Sequence, residues 1–273
     1  MGGLIVAIFL WPFFRKRIPW RELYTLVTIG FATHGLLDAC TSYGTMLFWP
    51  LSNERVSWSN IAIVDPMYTG LLLAGCLLSW KSKSTKSLKV LFGLSCAYLL
   101  LGYTQRMSAE AIAASEIQRL GQHESIDTNI NAKPTVLNLW LWRVNYSQPG
   151  LHCVMAVYNP PWDKTKVYPG GCTKSVSIDD ARVIAGVDSR LSRDIQLFLW
   201  LSQGVLGEVD GRKNFLSDVR YSLLPISLEP MWGIEIDPAN PEQGAHYKFT
   251  RDTNRAKFKI FTDMLRGADI ELN

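Results

Sequence analysis

Charge is scarce at the front of this sequence. Only nine lysines and arginines and four acids (Glu22, Asp38, Glu54, Asp65) occur up to Gln105, whereas the remainder carries 19 bases and 20 acids. Two different solvents are therefore implied for one chain. The sequence shows no internal repeat, low-complexity tract, phosphate-binding glycine loop, nucleophile-elbow serine or Cys-x-x-Cys pair, so the chemistries those motifs carry gain no support. With 48% hydrophobic and 19% charged residues, disorder, collagen and small disulfide scaffolds are also excluded. The N-terminal bases sit in short clusters between apolar runs, with no basic face interleaved with aromatics. No nucleic-acid partner is expected despite the formal charge of +4.

What the first 105 residues do have is apolar length. Met1 to Phe14, Leu23 to Pro50, Val56 to Trp80 and Val90 to Gln105 nearly lack charge, and each reads as a membrane helix or part of one. The first is short and counts as a partial segment; the last needs neighbouring residues to span. A cleaved signal peptide is disfavoured for the first run, because the basic cluster Arg15 to Arg21 follows it and no small-residue cleavage site precedes Arg15. Lys and Arg collect in that cluster and again at Lys81 to Lys89, which the positive-inside rule places in the cytoplasm. The loop Phe48 to Asn60 and everything after Gln105 then fall on the outer side.

The second part reads as a soluble α+β domain, long enough to bury a core of its own. Arg106 to Leu120 has helical spacing and continues the last apolar run. Val136 to Tyr146 and Leu151 to Tyr158, separated by Ser-Gln-Pro-Gly, read as a β-hairpin. Helices are expected over Asp179 to Val187 and Ser192 to Ser202, the second with Ser192 and Asp194 at its start, and a closing helix over Thr253 to Arg266. Further strands are expected over Asn214 to Ser222 and Met231 to Ile236. Cys153 and Cys172 lie in this domain and would be able to pair in an oxidising compartment; spacing alone leaves that pairing open.

The polar residues inside the apolar runs carry the chemistry. His34 and Asp38 are four apart and share a helix face, with Thr41 and Ser42 one turn further on. A carboxylate in a membrane span costs at least about 2.5 kcal/mol, so such groups normally face a cavity, a partner or a metal. Asp65, beside Pro66, opens the next apolar run, and a turn between the two runs would make them antiparallel neighbours. One imidazole and two carboxylates suit a divalent metal, such as zinc, manganese or magnesium, whose bound water is activated for hydrolysis. On this reading His34, Asp38 and Asp65 are ligands, Asp38 and Asp65 also serve catalysis, and Thr41 and Ser42 support them. The alternative is that His34 and Asp38 bond each other while Asp65 caps a helix. Arg55 would hold an anionic substrate at the outer mouth, or else reach for lipid headgroups.

The string His34-Gly-Leu-Leu-Asp38-Ala-Cys-Thr41-Ser-Tyr-Gly44-Thr-Met-Leu-Phe-Trp-Pro50, followed by Asp65-Pro-Met-Tyr68, resembles the YdjM-type family of inner-membrane, metal-dependent hydrolases. The similarity extends to Pro134-Thr-Val-Leu-Asn138-Leu-Trp-Leu-Trp142-Arg143 and to Asp218-Val-Arg220-Tyr221. The resemblance implies a metal at His34, Asp38 and Asp65, with Thr41 behind them. It also implies further ligands from an acidic Pro-Asp-x-Asp-like segment and a His-Arg-Gly-x-Thr-His stretch upstream. Neither string is in this sequence, so a fragment or a divergent member with an incomplete site is expected. His123, His152 and His246 are expected at the surface or in the core of the outer domain.

The resulting expectation is a multi-pass inner-membrane protein, residues 1–105 forming a transmembrane helical bundle of about four segments and 106–273 an extracytoplasmic α+β domain. The membrane lipid bilayer is its first partner. Its function would be metal-dependent hydrolysis of an amphiphilic or lipid-linked ester. The alternative is a non-catalytic membrane protein whose outer domain binds a partner or envelope component. A transporter is the weakest reading, since no repeat or broken-helix pair supports alternating access.

Overall fold

A computed structural model describes residues 2–121, 129–250 and 255–270 of the chain. Four helices come first: α1 (Gly2–Phe14), α2 (Trp20–Cys40), α3 (Pro66–Ser82) and α4 (Lys86–Arg119). Among the described residues, α2 and α4 are long and apolar enough to cross a membrane. The helices pack as two hairpins, α1 on α2 and α3 on α4. Trp11 meets Trp20 edge to face across the first turn.

The short fourth apolar run is lengthened at both ends. α4 begins at Lys86 and continues without a break for 34 residues, roughly 50 Å at 1.5 Å per residue, so the boundary drawn at residue 105 lies inside a continuous helix. Its first half is apolar on most sides. Its second half puts Ala109, Ala113 and Ile117 against a sheet, where they are fully buried. The apolar helix and the α+β region thus share one rod.

That sheet is an antiparallel meander of β1 (Asn131–Pro134), β2 (Leu141–Gln148), β3 (Leu151–Tyr158) and β4 (Lys166–Lys174). The expected hairpin is β2–β3, turned at Pro149 and Gly150, where Gly150 has φ +71°. Its first strand starts at Leu141 instead of Val136. The cause is Asn138, whose side chain bonds the Trp140 and Leu141 amides, the Thr135 hydroxyl and the Val136 carbonyl, folding 135–140 into a turn. Strand alternation sends Trp142, Val144 and Tyr146 towards α4 and Leu141, Arg143 and Asn145 to the other face. Cys153 and Cys172, partners across β3 and β4, form a disulfide.

A second meander, β5 (Leu206–Glu208), β6 (Phe215–Asp218), β7 (Trp232–Glu235) and β8 (His246–Phe249), packs against α5 (Ile178–Ala185) and α6 (Arg190–Leu201). Both helices begin with serine caps: Ser177 forms a capping box with Asp180, and Ser189 accepts from the Ser192 amide. The second helix therefore starts before Ser192, because Ser189 takes the capping role. The closing helix α7 (Arg255–Leu265) covers the far face of the first sheet with Ile260, Phe261 and Met264.

The loop from residue 41 to 65 joins the two regions. It folds back over the C-terminal end of α2, whose last carbonyls lack intrahelical partners. Trp58 N reaches Ala39 O at 2.6 Å, and the Asn60 and Ile61 amides both reach Cys40 O. The loop is pressed so closely on α4 that a Cβ at Gly102 would lie 1.9 Å from Asn60 O. Only glycine fits there.

Candidate functional site

The structure separates the expected ligands into two groups. His34 Nδ1 lies 3.4 Å from Asp38 Oδ2 on the outside of α2, with 74% and 48% of these side chains exposed. Asp65 is buried and engaged elsewhere: it caps α3, accepting from Tyr68 N at 3.0 Å and from the Tyr98 hydroxyl at 2.9 Å. Thr41 turns its hydroxyl to the Asp38 carbonyl, closing the helix end. Ser42 is buried, and its carbonyl is an anchor for the α+β region. Asp38, Thr41 and Asp65 do line one groove of about 650 Å³ between α2 and α3. Among the described residues, no group of three or more His, Cys, Asp or Glu side chains is placed to hold a metal ion.

Arg55 is occupied by the protein itself. Its guanidinium donates to the carbonyls of Leu201, Tyr43 and Gly44 and stacks over Trp200 at 5.3 Å. Gln203 returns a bond to the Arg55 carbonyl at 2.8 Å. These contacts tie the loop to the end of α6. Arg55 also borders an open recess with Asp218, Arg220 and Trp232.

Beside this tie lies a cluster that the spacing of residues did not single out. β1 and β2 pair Asn131 with Asn145 and Lys133 with Arg143, so all four side chains share one face of the sheet. Lys133 is 4% exposed, and its ammonium donates to Ser42 O at 3.1 Å and sits 5.5 Å over the Tyr221 ring. Burial, with Arg220 close by, pushes its pKa down to about 7. Arg143 spends its terminal nitrogens on the carbonyls of Val219, Leu224, Pro225 and Ser227. Arg220 is gripped by Asp218 through two bonds of 2.8 and 2.7 Å, and also donates to Gln203 Oε1 and Leu201 O. Burial works against that guanidinium's charge, but Asp218 outweighs it and holds the pKa above its usual range. Tyr221 donates to Ser42 O at 2.6 Å, and burial raises its phenol.

A recess of about 270 Å³ opens where these groups meet the loop. Ile63 and Val64 of the loop, Val136, Met231, Trp232 and Phe261 give it apolar walls, while Lys133, Arg143 and Arg220 form its charged side. The signal for this cluster lay in Arg143 and Asn145, polar residues alternating with apolar ones along β2. Such alternation ordinarily marks a solvated face, and here the 219–227 segment covers it. Of the other histidines, His152 is buried, His246 exposed, and His123 lies outside the described residues.

An apolar helical region fused to a two-sheet α+β domain defines the class of protein. Residues 1–109 match the model of the YdjM inner membrane protein family, the family that the His34 to Pro50 string resembles. The strings at 134–143 and 218–221 lie beyond that match, although the fold brings them together through Arg143 and Val219. No curated protein and no solved structure matches the chain.

Proposed function

We propose that this is an inner-membrane binding protein that holds an amphiphilic, negatively charged envelope molecule in the recess between the α2–α3 loop and the outer domain. One observation carries this reading: the recess combines apolar walls, from the loop and from the α+β region, with three basic side chains, Lys133, Arg143 and Arg220. Among the described residues, Asp218 alone supplies them an opposing charge at bonding distance, to Arg220. Such a cavity suits a ligand with an apolar tail and an anionic head. Family membership of residues 1–109 supports residence in the inner membrane. The basic clusters at Arg15 to Arg21 and Lys81 to Lys89, together with the disulfide in the first sheet, favour a topology that puts the sheets outside the cytoplasm.

Val136 supplies the test, because its side chain is exposed at the mouth and removing it disturbs no core. The full chain in nanodiscs is expected to quench or polarise a fluorescently tailed phosphatidylglycerol, and Val136→Arg is expected to abolish the signal while leaving the melting temperature unchanged. Equal binding by both proteins would overturn the reading. A second reading, metal-dependent hydrolysis, draws on the groove shared by Asp38, Thr41 and Asp65. It requires Asp65 to give up its bonds to Tyr68 and Tyr98, and metal content tests it as set out below.

A further inference from the structure

Next to the recess, a smaller and more polar pocket of about 100 Å³ is lined by Asn131, Lys133, Asn145, Gln203 and Arg220. Water occupies about 30 Å³ per molecule, so this volume suits one tetrahedral oxyanion and is too small for a nucleotide. We infer that the pocket is an oxyanion site that takes a phosphate group, either free or as the head of a lipid. This deepens the reading above, because Lys133 and Arg220 line both cavities.

Three observations converge on it. First, Lys133 and Arg143 stand directly opposite each other across two strands, an arrangement in which like charges repel. Neither has a carboxylate partner among the described residues, and the one acid in the cluster, Asp218, is committed to Arg220. Second, donors remain available: Lys133 uses one of its three protons, on Ser42 O, and Arg220 directs one nitrogen to Gln203 alone. Third, Asn145 is 5% exposed, yet among the described residues neither its amide nitrogen nor its amide oxygen has a hydrogen-bond partner, and the Asn131 side-chain oxygen is likewise unpartnered. A buried amide left without partners costs free energy. Folding keeps this polar set at a cost that an oxyanion would repay, its oxygens accepting from the ammonium, guanidinium and amide. A protonated phosphate oxygen would also donate to the amide oxygens.

The test uses the intact chain in nanodiscs of phosphatidylcholine alone, titrated with inorganic phosphate against chloride at matched ionic strength and followed by thermal unfolding and phosphorus NMR. Phosphate is expected to raise the melting temperature of the wild type. Asn145→Ala is expected to weaken phosphate binding about tenfold or more, the loss of hydrogen bonds to a charged group, without lowering the melting temperature in phosphate-free buffer, because the Asn145 side chain makes no hydrogen bond within the described residues. A second series with phosphatidic acid in the discs distinguishes the sources: an effect only there assigns the site to a lipid head, and an effect of inorganic phosphate alone assigns it to the free ion. Either source supports the site. No response to either probe, or equal responses in wild type and Asn145→Ala, overturns it. Val136→Arg separates this inference from the amphiphile reading, since it should remove the tailed lipid and spare inorganic phosphate.

Discussion

The ammonium of Lys133 donates to the carbonyl of Ser42 at 3.1 Å, joining β1 to the loop two residues past the end of α2. Tyr221 reaches the same oxygen from the second sheet. One backbone carbonyl therefore locks three segments that are far apart in sequence. It does so with a cation that has no carboxylate partner among the described residues, and stability must register that cation's desolvation.

The pH dependence follows from the direction of the shift. Lys133 has a folded value of about 7 against an ordinary 10.5, so between those limits the unfolded chain binds the extra proton. Stability accordingly rises with pH across that window, and the burial penalty is felt in full below it. Melting temperatures in phosphate-free buffer should climb from pH 7 towards pH 10. In Lys133→Met the climb should flatten, with stability at pH 7 no worse than wild type, since replacing a buried charge by an apolar side chain of similar volume is often neutral or stabilising. An unaltered slope in the variant would show that other groups govern the window.

Asp218 is the counterweight in the same cluster, paired with Arg220 and, like it, 4% exposed at the side chain. Removing one member of a buried pair leaves the other charge uncompensated, which costs about 3–5 kcal/mol. Asp218→Ala should therefore unfold far more readily than Asn145→Ala, although both residues lie close to the same pocket. Comparable melting temperatures for the two variants would contradict the assignment of Asp218 to structure and Asn145 to ligand.

Gly102 tests the seating of the loop. Any side chain there meets the Asn60 carbonyl, which is backbone and cannot rotate away. Overpacking of this kind costs roughly 1–3 kcal/mol, and Gly102→Ala should lower the melting temperature and weaken tailed-lipid retention together, because Ile63 and Val64 of the displaced loop wall the recess. Gly93, on the same helix with open space around its Cβ position, serves as the control.

Much of this architecture was legible in the sequence, and the exceptions have physical causes. Apolar runs located the four helices because a membrane-type helix needs little beyond length and hydropathy. The β2–β3 hairpin was legible because Pro149-Gly150 turns the chain between two apolar strands. β4 was not, since its Pro-Gly-Gly core imitates a loop; Gly170 is required there because a Cβ would lie 2.5 Å from Val154 O. The pairing of His34 with Asp38 and the capping of α3 by Asp65 could both be read from the sequence, as the alternative to a metal site, whereas the contact of Asp65 with Tyr98 could not. Which way a carboxylate turns at a helix start depends on Tyr98, 33 residues away. The cationic cluster was legible only in part: Arg143, Asp218 and Arg220 lie in the strings at 134–143 and 218–221, but strand alternation identifies the polar face of β2 and says nothing about the segment that buries it.

Metal content discriminates between the two functional readings. Hydrolysis at His34, Asp38 and Asp65 requires about one equivalent of divalent ion in the purified protein, released by His34→Ala or Asp38→Ala and by chelation. The binding reading expects the same metal content in wild type and variants. Asp65→Ala should in either case lose about 1 kcal/mol for the helix cap, with a further loss from the Tyr98 hydroxyl left without its acceptor.

Topology can be read from Cys153 and Cys172. They face each other across β3 and β4 and are joined, closing a loop with a sequence separation of 19. A disulfide persists in an oxidising compartment and is rare in the cytosol, so with the domain outside, neither cysteine should react with a maleimide in intact cells until a reductant is added. Cys40, buried among the helices, should stay unlabelled under both conditions. Replacing the pair with serine should cost about 3 kcal/mol, the stabilisation expected for a loop of this length. A reporter fused after Asn273 gives the independent check: activity is expected from an enzyme that folds only outside the cytoplasm and not from one that needs the cytosol. If the cytosolic reporter is active and both cysteines label without reduction, the basic clusters have been assigned to the wrong side and the recess faces the cytoplasmic leaflet.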